Sequence, residues 1–331
     1  MSMGWTVYEP SRAPVVFPPG EVVLETTTLD DHTLLEADRL VSTGRCTDGR
    51  LELESGNTRL VAMIHKSAPY VAGLQEGQAL RPVPLFVWDP TYEELLSQGF
   101  RVLRYDLYGR GYSDRPNIAY DRKLFVEQLR ELLDVLGIGE PVDLVGLSMG
   151  GPVIASFIAS YPERVAHQVF VDPFVGPVDA GVLTVPGLGD YLAVIFVART
   201  LPKRLAGDFY DPEKVPDWEG RFREQMRYRG FRRALLRSLR EFMAEDFSGL
   251  YAEVGRLGKP TLVVWGRHDR TVPFALSQQV ASSLGARLLV VEEAAHTPHL
   301  ERPEVFGPEL ASFLRGEGHG STPETRSAPV P

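Results

Sequence analysis

Apolar residues in this chain cluster in short, nearly continuous runs separated by stretches of helical spacing. Leu51–Glu54, Leu60–Ile64, Val102–Tyr105, Val142–Gly146, Gln168–Val171, Thr261–Trp265 and Arg287–Val291 are the candidate strands. Several are apolar at successive rather than alternate positions, the pattern of parallel strands covered on both faces. Helices fall in the gaps. Asp121 is placed to cap a helix on which Phe125, Leu129, Leu132, Leu133 and Leu136 recur at helical spacing, and Gly137 stops it. A second helix is expected from near Met149 to before Pro162, and a third from about Phe274 to Leu284. Pro303 is placed to open the last one, which ends near Leu314. Alternation of this kind predicts the α/β class with a doubly wound, mostly parallel sheet.

The alternation breaks between 176 and 255, where VGPVDAGVLTVPGLGD leads into helical, Arg-rich sequence. An inserted helical lid over the carboxyl edge of the sheet is the expected structure there, since ligands bind at that edge in open α/β sheets. The resulting division is a loose segment over 1–21, a core over 22–175 and 256–315, the lid over 176–255, and a disordered tail over 316–331. Both ends are rich in Pro and Gly or lack apolar periodicity.

Composition narrows the function. The 331 residues are 44% hydrophobic, enough for one large core or two modest ones, and the formal charge of −9 argues against nucleic acid as the main partner. A single cysteine, Cys46, supplies neither a disulfide framework nor a metal-binding pair. No run approaches the ~20 apolar residues that a membrane span requires, and residues 1–20 carry no signal-like apolar core. A cytoplasmic protein without stable membrane insertion is the expectation.

One motif carries chemistry. Gly146-Leu147-Ser148-Met149-Gly150 follows the strand VDLVGL and precedes a helix. In that setting the serine sits on a sharp turn, with its Oγ at the sheet edge and helix N–H groups behind it. A serine hydroxyl needs a base, and His296 stands in EEAAH directly after the strand RLLVV. His299 is its main competitor; His268 and His65 also end strands but come too early in the chain order. The orienting acid belongs between serine and histidine, and Asp269 ends the strand TLVVW. Asp172, after QVFV, is the reserve candidate.

RVLRYDLYGRGYSDRP, GLSMGG, WGRHDRTVP and AAHTPHLERPE, in this order over residues 85–315, resemble the α/β-hydrolase family in its serine esterase and monoacylglycerol-lipase-like branch. The resemblance implies a cofactor-free, metal-free enzyme that cleaves carboxylic esters of small molecules through an acyl-enzyme, with Ser148, Asp269 and His296 as triad. It makes Asp106 and the Gly109–Asp114 turn structural neighbours of the site. It also implies oxyanion donors from the Met149 N–H and from the loop after LVAMI, at Lys66 or Ser67. Members usually carry His-Gly at that loop; this chain has His65-Lys66-Ser67 and a longer irregular stretch to Trp88. Alternatives on the same scaffold are a C–C bond hydrolase, a perhydrolase, or a non-catalytic ligand-binding protein. Epoxide hydrolases and haloalkane dehalogenases are disfavoured because they need aspartate where Ser148 stands. The eight arginines between Arg221 and Arg240 are expected mostly on a solvated face, and Leu192, Val194, Ile195 and Phe196 are candidates to line an acyl pocket.

Overall fold

The structure, a computed structural model, describes residues 85–317 apart from 112, 179–180, 186 and 193–197. Before residue 85 it describes short strands alone. The main sheet has seven strands: β1 (Leu40–Val41), β2 (Leu60–His65), β3 (Arg101–Asp106), β4 (Val142–Leu147), β5 (Val165–Val171), β6 (Thr261–Gly266) and β7 (Arg287–Val291), in spatial order β7-β6-β5-β4-β2-β3-β1. All neighbours are parallel except β1, which runs antiparallel to β3. Six of the seven expected strands are here. The run at Leu51 forms Arg50–Leu53 instead, paired with Gly44–Thr47 outside the main sheet.

Continuous apolar runs bury both faces, as the pattern implies. Leu103, Tyr105, Leu144, Phe170, Val263 and Trp265 face one core, built with α2 (Arg122–Val135), α3 (Gly150–Ser160) and α9 (Ser277–Leu284). Their sequence neighbours Val102, Val145, Val169, Val171, Leu262 and Val264 face the other, covered by α1 (Asp89–Ser97), α10 (Pro298–Glu301) and α11 (Pro303–Leu314). Side chains alternate across a strand, so a run apolar at every position needs both layers. Helix ends follow their chemistry. The Asp121 carboxylate accepts the Leu124 N–H at 2.9 Å, Gly137 takes φ 67° after α2, and Pro303 occupies the first turn of α11.

Between β5 and β6 the chain forms α4 (Leu188–Leu192), α5 (Ala198–Ala206), α6 (Trp218–Gln225), α7 (Phe231–Glu241) and α8 (Ser248–Gly255). α8 packs against α3 and α9, and its Leu250, Tyr251 and Val254 join the first core. Among the described residues no helix is long and apolar enough to cross a membrane.

Strand order places the site. From β2 the chain moves outward to β3, then crosses back over β2 to β4 and continues the opposite way through β5, β6 and β7. Connections therefore diverge at the carboxyl ends of β2 and β4, which is where open α/β sheets form a crevice. In register, Ile64 lies opposite Gly146 and Gly146 opposite Phe170, so the loops leaving these strands emerge at one edge.

Candidate active site

Ser148 ends β4 with φ 52°, a left-handed conformation costly for a residue with a Cβ. Its surroundings hold it there. The Ser148 N–H donates to the Val171 carbonyl (2.9 Å), and the Ser148 carbonyl accepts from Gly151 (2.9 Å) and Phe174 (3.0 Å). The turn is tight enough that a Cβ on Gly146 would lie 2.5 Å from the Gly150 carbonyl oxygen, and one on Gly151 would lie 2.6 Å from the Pro173 Cβ. The glycines flanking the serine are thus steric requirements. Met149 leads α3, so the first-turn N–H groups and the positive end of the helix dipole adjoin Ser148.

Asp269 and His296 meet across the loops after β6 and β7. His296 Nδ1 lies 2.8 Å from Asp269 Oδ2, and both residues are buried. The other Asp269 oxygen, Oδ1, accepts the N–H groups of Thr271 (2.8 Å) and Val272 (3.0 Å). These bonds fix the carboxylate plane, leaving Oδ2 as an acceptor that selects the Nδ1–H tautomer. Nε2 of His296 is then a bare lone pair, buried and without a hydrogen-bond partner among the described residues. A base held in one tautomer with its acceptor nitrogen free is poised to take a proton.

The reserve acid is close by. Asp172 ends β5 with φ 40°, and its carboxylate, the Asp269 carboxylate and the His296 ring nitrogen lie within 4.8 Å of one another. Its Oδ1 accepts the Gly266 N–H at 2.9 Å. Full burial, with the Asp269 charge beside it, pushes the Asp172 carboxyl well above the usual carboxylate range. It therefore holds its proton more tightly than an ordinary carboxyl does. The three groups have donors suited to a metal, but each of the two carboxylates is already bonded to backbone N–H groups and His296 to Asp269.

The other candidates lie elsewhere. His299 is fully buried between Trp88 (ring centroids 4.4 Å apart) and Phe306 (5.8 Å), and burial lowers its pKa to about 3. It is a neutral packing residue. His268 is exposed and stacks on Tyr210 at 4.6 Å. The Asp106 carbonyl anchors Ser113 Oγ (2.7 Å) and Gln128 Nε2 (2.8 Å), a structural role. Lys66 and Ser67, the expected oxyanion loop, lie outside the described residues, as do Val194, Ile195, Phe196 and the side chain of Leu192.

Glu301 was not legible as part of the site. It is 2% exposed, and its carboxylate accepts the N–H groups of Ala295 (2.9 Å), Tyr210 (2.6 Å) and Asp211 (3.3 Å). One buried side chain thus ties the His296 loop to the segment after α5, and the His296 N–H itself donates to the Asp208 carbonyl (3.3 Å).

His296 opens on a cavity of about 690 Å³ beneath the helices between β5 and β6, with Phe209, Trp218, Phe222 and Leu236 among its walls. Most arginines of that helical segment are exposed, as expected: Arg223, Arg227, Arg229, Arg232 and Arg233, with Arg221, Arg237 and Arg240 half-buried. Arg233, Arg237 and Arg240 donate to the carbonyls of Arg115, Ile118 and Leu183 at 2.7, 2.5 and 2.8 Å, clamping α7 to its neighbours.

A sequence model of the alpha/beta hydrolase family matches residues 83–308. The chain is 32% identical over 228 residues to a 2-hydroxymuconate semialdehyde hydrolase of Pseudomonas putida, covering 66% of this chain and 78% of that protein. It is 28% identical over 270 residues to the carboxylesterase YbfK of Bacillus subtilis (79% and 85%). Among solved structures it is similar to a 2-hydroxy-6-oxo-6-phenylhexa-2,4-dienoate hydrolase of Rhodococcus sp. strain RHA1, with TM-score 0.62 and 28% identity over 78% of this chain and 91% of that one.

Proposed function

This chain belongs to the alpha/beta hydrolase family, and we propose that it is a serine hydrolase using Ser148, His296 and Asp269 on carboxylic esters. The observation that carries the reading is the 2.8 Å Asp269–His296 bond with His296 Nε2 left free. The strained Ser148 turn at the same sheet edge supports it. In the proposed reaction Ser148 Oγ attacks the ester carbonyl carbon while its proton passes to His296 Nε2. The Asp269 carboxylate stabilises the imidazolium that forms. The tetrahedral oxyanion is held by the Met149 N–H and a second N–H from Lys66 or Ser67. Collapse breaks the C–O bond, and His296 returns the proton to the leaving alcohol. Water, deprotonated by His296, then attacks the acyl carbon; the bond to Ser148 Oγ breaks, His296 returns the proton to that oxygen, and the acid is released. Side chains and backbone complete this cycle, so it needs no cofactor. We read the helices between β5 and β6 as its lid and the cytoplasm as its compartment.

A second reading, hydrolysis of a C–C bond next to a ketone, is favoured by the names of the relatives. The 32% identical Pseudomonas putida protein is named as the hydrolase of a semialdehyde, and the Rhodococcus structure as the hydrolase of an oxo-dienoate, both carbonyl compounds. Ser148→Ala tests what the two share: turnover of p-nitrophenyl butyrate should vanish while the circular dichroism spectrum stays that of the wild type. Turnover at the wild-type rate in that variant would exclude both.

A further inference from the structure

The cavity beside His296 has an apolar wall with a buried cation set into it. Arg110 leaves the turn after β3, is 2% exposed, and lines the cavity together with His296. The turn packs closely under α7: a Cβ on Gly109 (φ 84°) would lie 2.5 Å from the Ala234 Cβ, and this glycine lets the loop run beneath the helix. Among the described residues, Nη1 of Arg110 reaches only the Gly109 carbonyl, at a long 3.4 Å. No carboxylate among the described residues pairs with the guanidinium, and burial lowers its pKa to about 10. Gln225, at the end of α6, lines the same cavity at 1% exposure, and neither Oε1 nor Nε2 has a hydrogen-bond partner among the described residues.

Buried charges are ordinarily paired, and buried amides are ordinarily hydrogen-bonded. A guanidinium with one long bond to a backbone carbonyl, and an amide with no partner among the described residues, both lining one cavity, are arranged for groups a ligand brings. The remaining charged residues lining the cavity are Arg204 and Arg270, both exposed, and the half-buried Asp208. Cations therefore outnumber acids along it. The cavity holds one buried cation, which matches a singly charged carboxylate; a phosphate dianion would keep an uncompensated charge against walls of Phe209, Trp218 and Phe222.

We infer that Arg110 and Gln225 form a carboxylate subsite, and that the substrates are esters, or ketones cleaved by the same serine, that bear a free carboxylate. This rests on the serine-hydrolase reading for the reacting end only. The carboxylate belongs either to the acyl part or to the leaving group, and two substrate pairs separate these. One pair is 4-nitrophenyl hydrogen glutarate and its terminal amide; the other is 4-acetoxybenzoate and 4-acetoxybenzamide. In at least one pair the wild type should favour the acid over the amide by ~10- to 100-fold in kcat/KM, as for a charge-assisted bond of about 1.5–3 kcal/mol. Arg110→Met should bring that ratio close to one, Arg110→Lys should keep part of it, and Gln225→Leu should lower it several-fold. Gln225→Leu carries the comparison if Arg110→Met does not fold. A ratio near one in both pairs for the wild type overturns the subsite, even with brisk turnover of the neutral esters. If no ester is turned over, the hydrolase reading has failed separately. Calorimetry with glutarate and 4-hydroxybenzoate then decides: saturable binding lost in Arg110→Met supports the subsite, and no binding overturns it.

Discussion

Replacing Asp269 by Asn changes one atom at the point where the proposed base is oriented. Oδ1 is committed to the Thr271 and Val272 N–H groups at 2.8 and 3.0 Å. An asparagine placing its NH2 there would set donor against two donors, leaving buried N–H groups unsatisfied at about 1–3 kcal/mol each. The amide oxygen therefore keeps that position, and the NH2 faces His296 Nδ1 across the 2.8 Å contact. Nδ1 must then accept, which puts the ring proton on Nε2 and removes the lone pair that takes the Ser148 proton. The wrong tautomer, with no carboxylate to stabilise the imidazolium, costs about 10⁴ in kcat in enzymes of this chemistry. At 1.36 kcal/mol per tenfold, that is about 5 kcal/mol of barrier. The assay is kcat for p-nitrophenyl butyrate in Asp269→Asn and, alongside, in Asp172→Asn, with circular dichroism to confirm folding. Burial pushes the Asp172 carboxyl well above the usual range, and His296 Nδ1 bonds Asp269 rather than Asp172, so the Asp172 amide should cost far less. A loss under tenfold in Asp269→Asn, or a larger loss in Asp172→Asn, would refute the reasoning and redraw the pair through Asp172.

His299→Leu should keep kcat within a few-fold of wild type, whereas His296→Ala should lose several orders of magnitude. The same variant changes stability against pH. With a native pKa of about 3, His299 stays unprotonated in the fold while the unfolded chain takes a proton near pH 6.5. Stability therefore falls as pH drops from about 6.5 to about 3, by on the order of 5 kcal/mol at the acid end. Chemical denaturation at pH 7 and pH 4 should show a smaller difference for His299→Leu; an unchanged difference contradicts the assignment. At the oxyanion loop, Lys66→Gly should raise kcat on plain esters, up to the ~10²–10³ that one donor contributes, with little change in KM. Steady-state kinetics that leave kcat unchanged would place the second donor elsewhere.

Strand and helix ends were legible wherever local chemistry sets them. Arg287–Val291 and Pro303–Leu314 match the expected bounds, because an apolar run ends at charges in one and proline opens the other. The third helix begins later, at Ser277, because the turn from Phe274 to Leu276 is a tighter 3-10 turn after Pro273. Leu40–Val41 was missed: two residues on a sheet edge carry no periodicity, and their pairing with β3 is a tertiary fact. The Asp269–His296 pair was legible from the order of strand ends along the chain. Arg110, Gln225 and Glu301 were not. Each sits in a charged or turn-like stretch that resembles ordinary surface, and only the packing of α6, α7 and the His296 loop buries them. Asp172 was ranked behind Asp269, and the structure supplies the physical difference. Asp269 accepts two backbone N–H groups and bonds His296, while Asp172 accepts one and burial pushes its carboxyl well above the usual range.

The central claim is that Ser148 is an activated nucleophile, and a fluorophosphonate tests it most directly because only an activated serine displaces fluoride from phosphorus. After reaction of the intact protein at neutral pH, peptide mass spectrometry should find one phosphonyl adduct, on the peptide containing Ser148. That adduct should be absent in Ser148→Ala and formed orders of magnitude more slowly in His296→Ala. No adduct on Ser148, or an adduct formed equally fast without His296, would contradict the account.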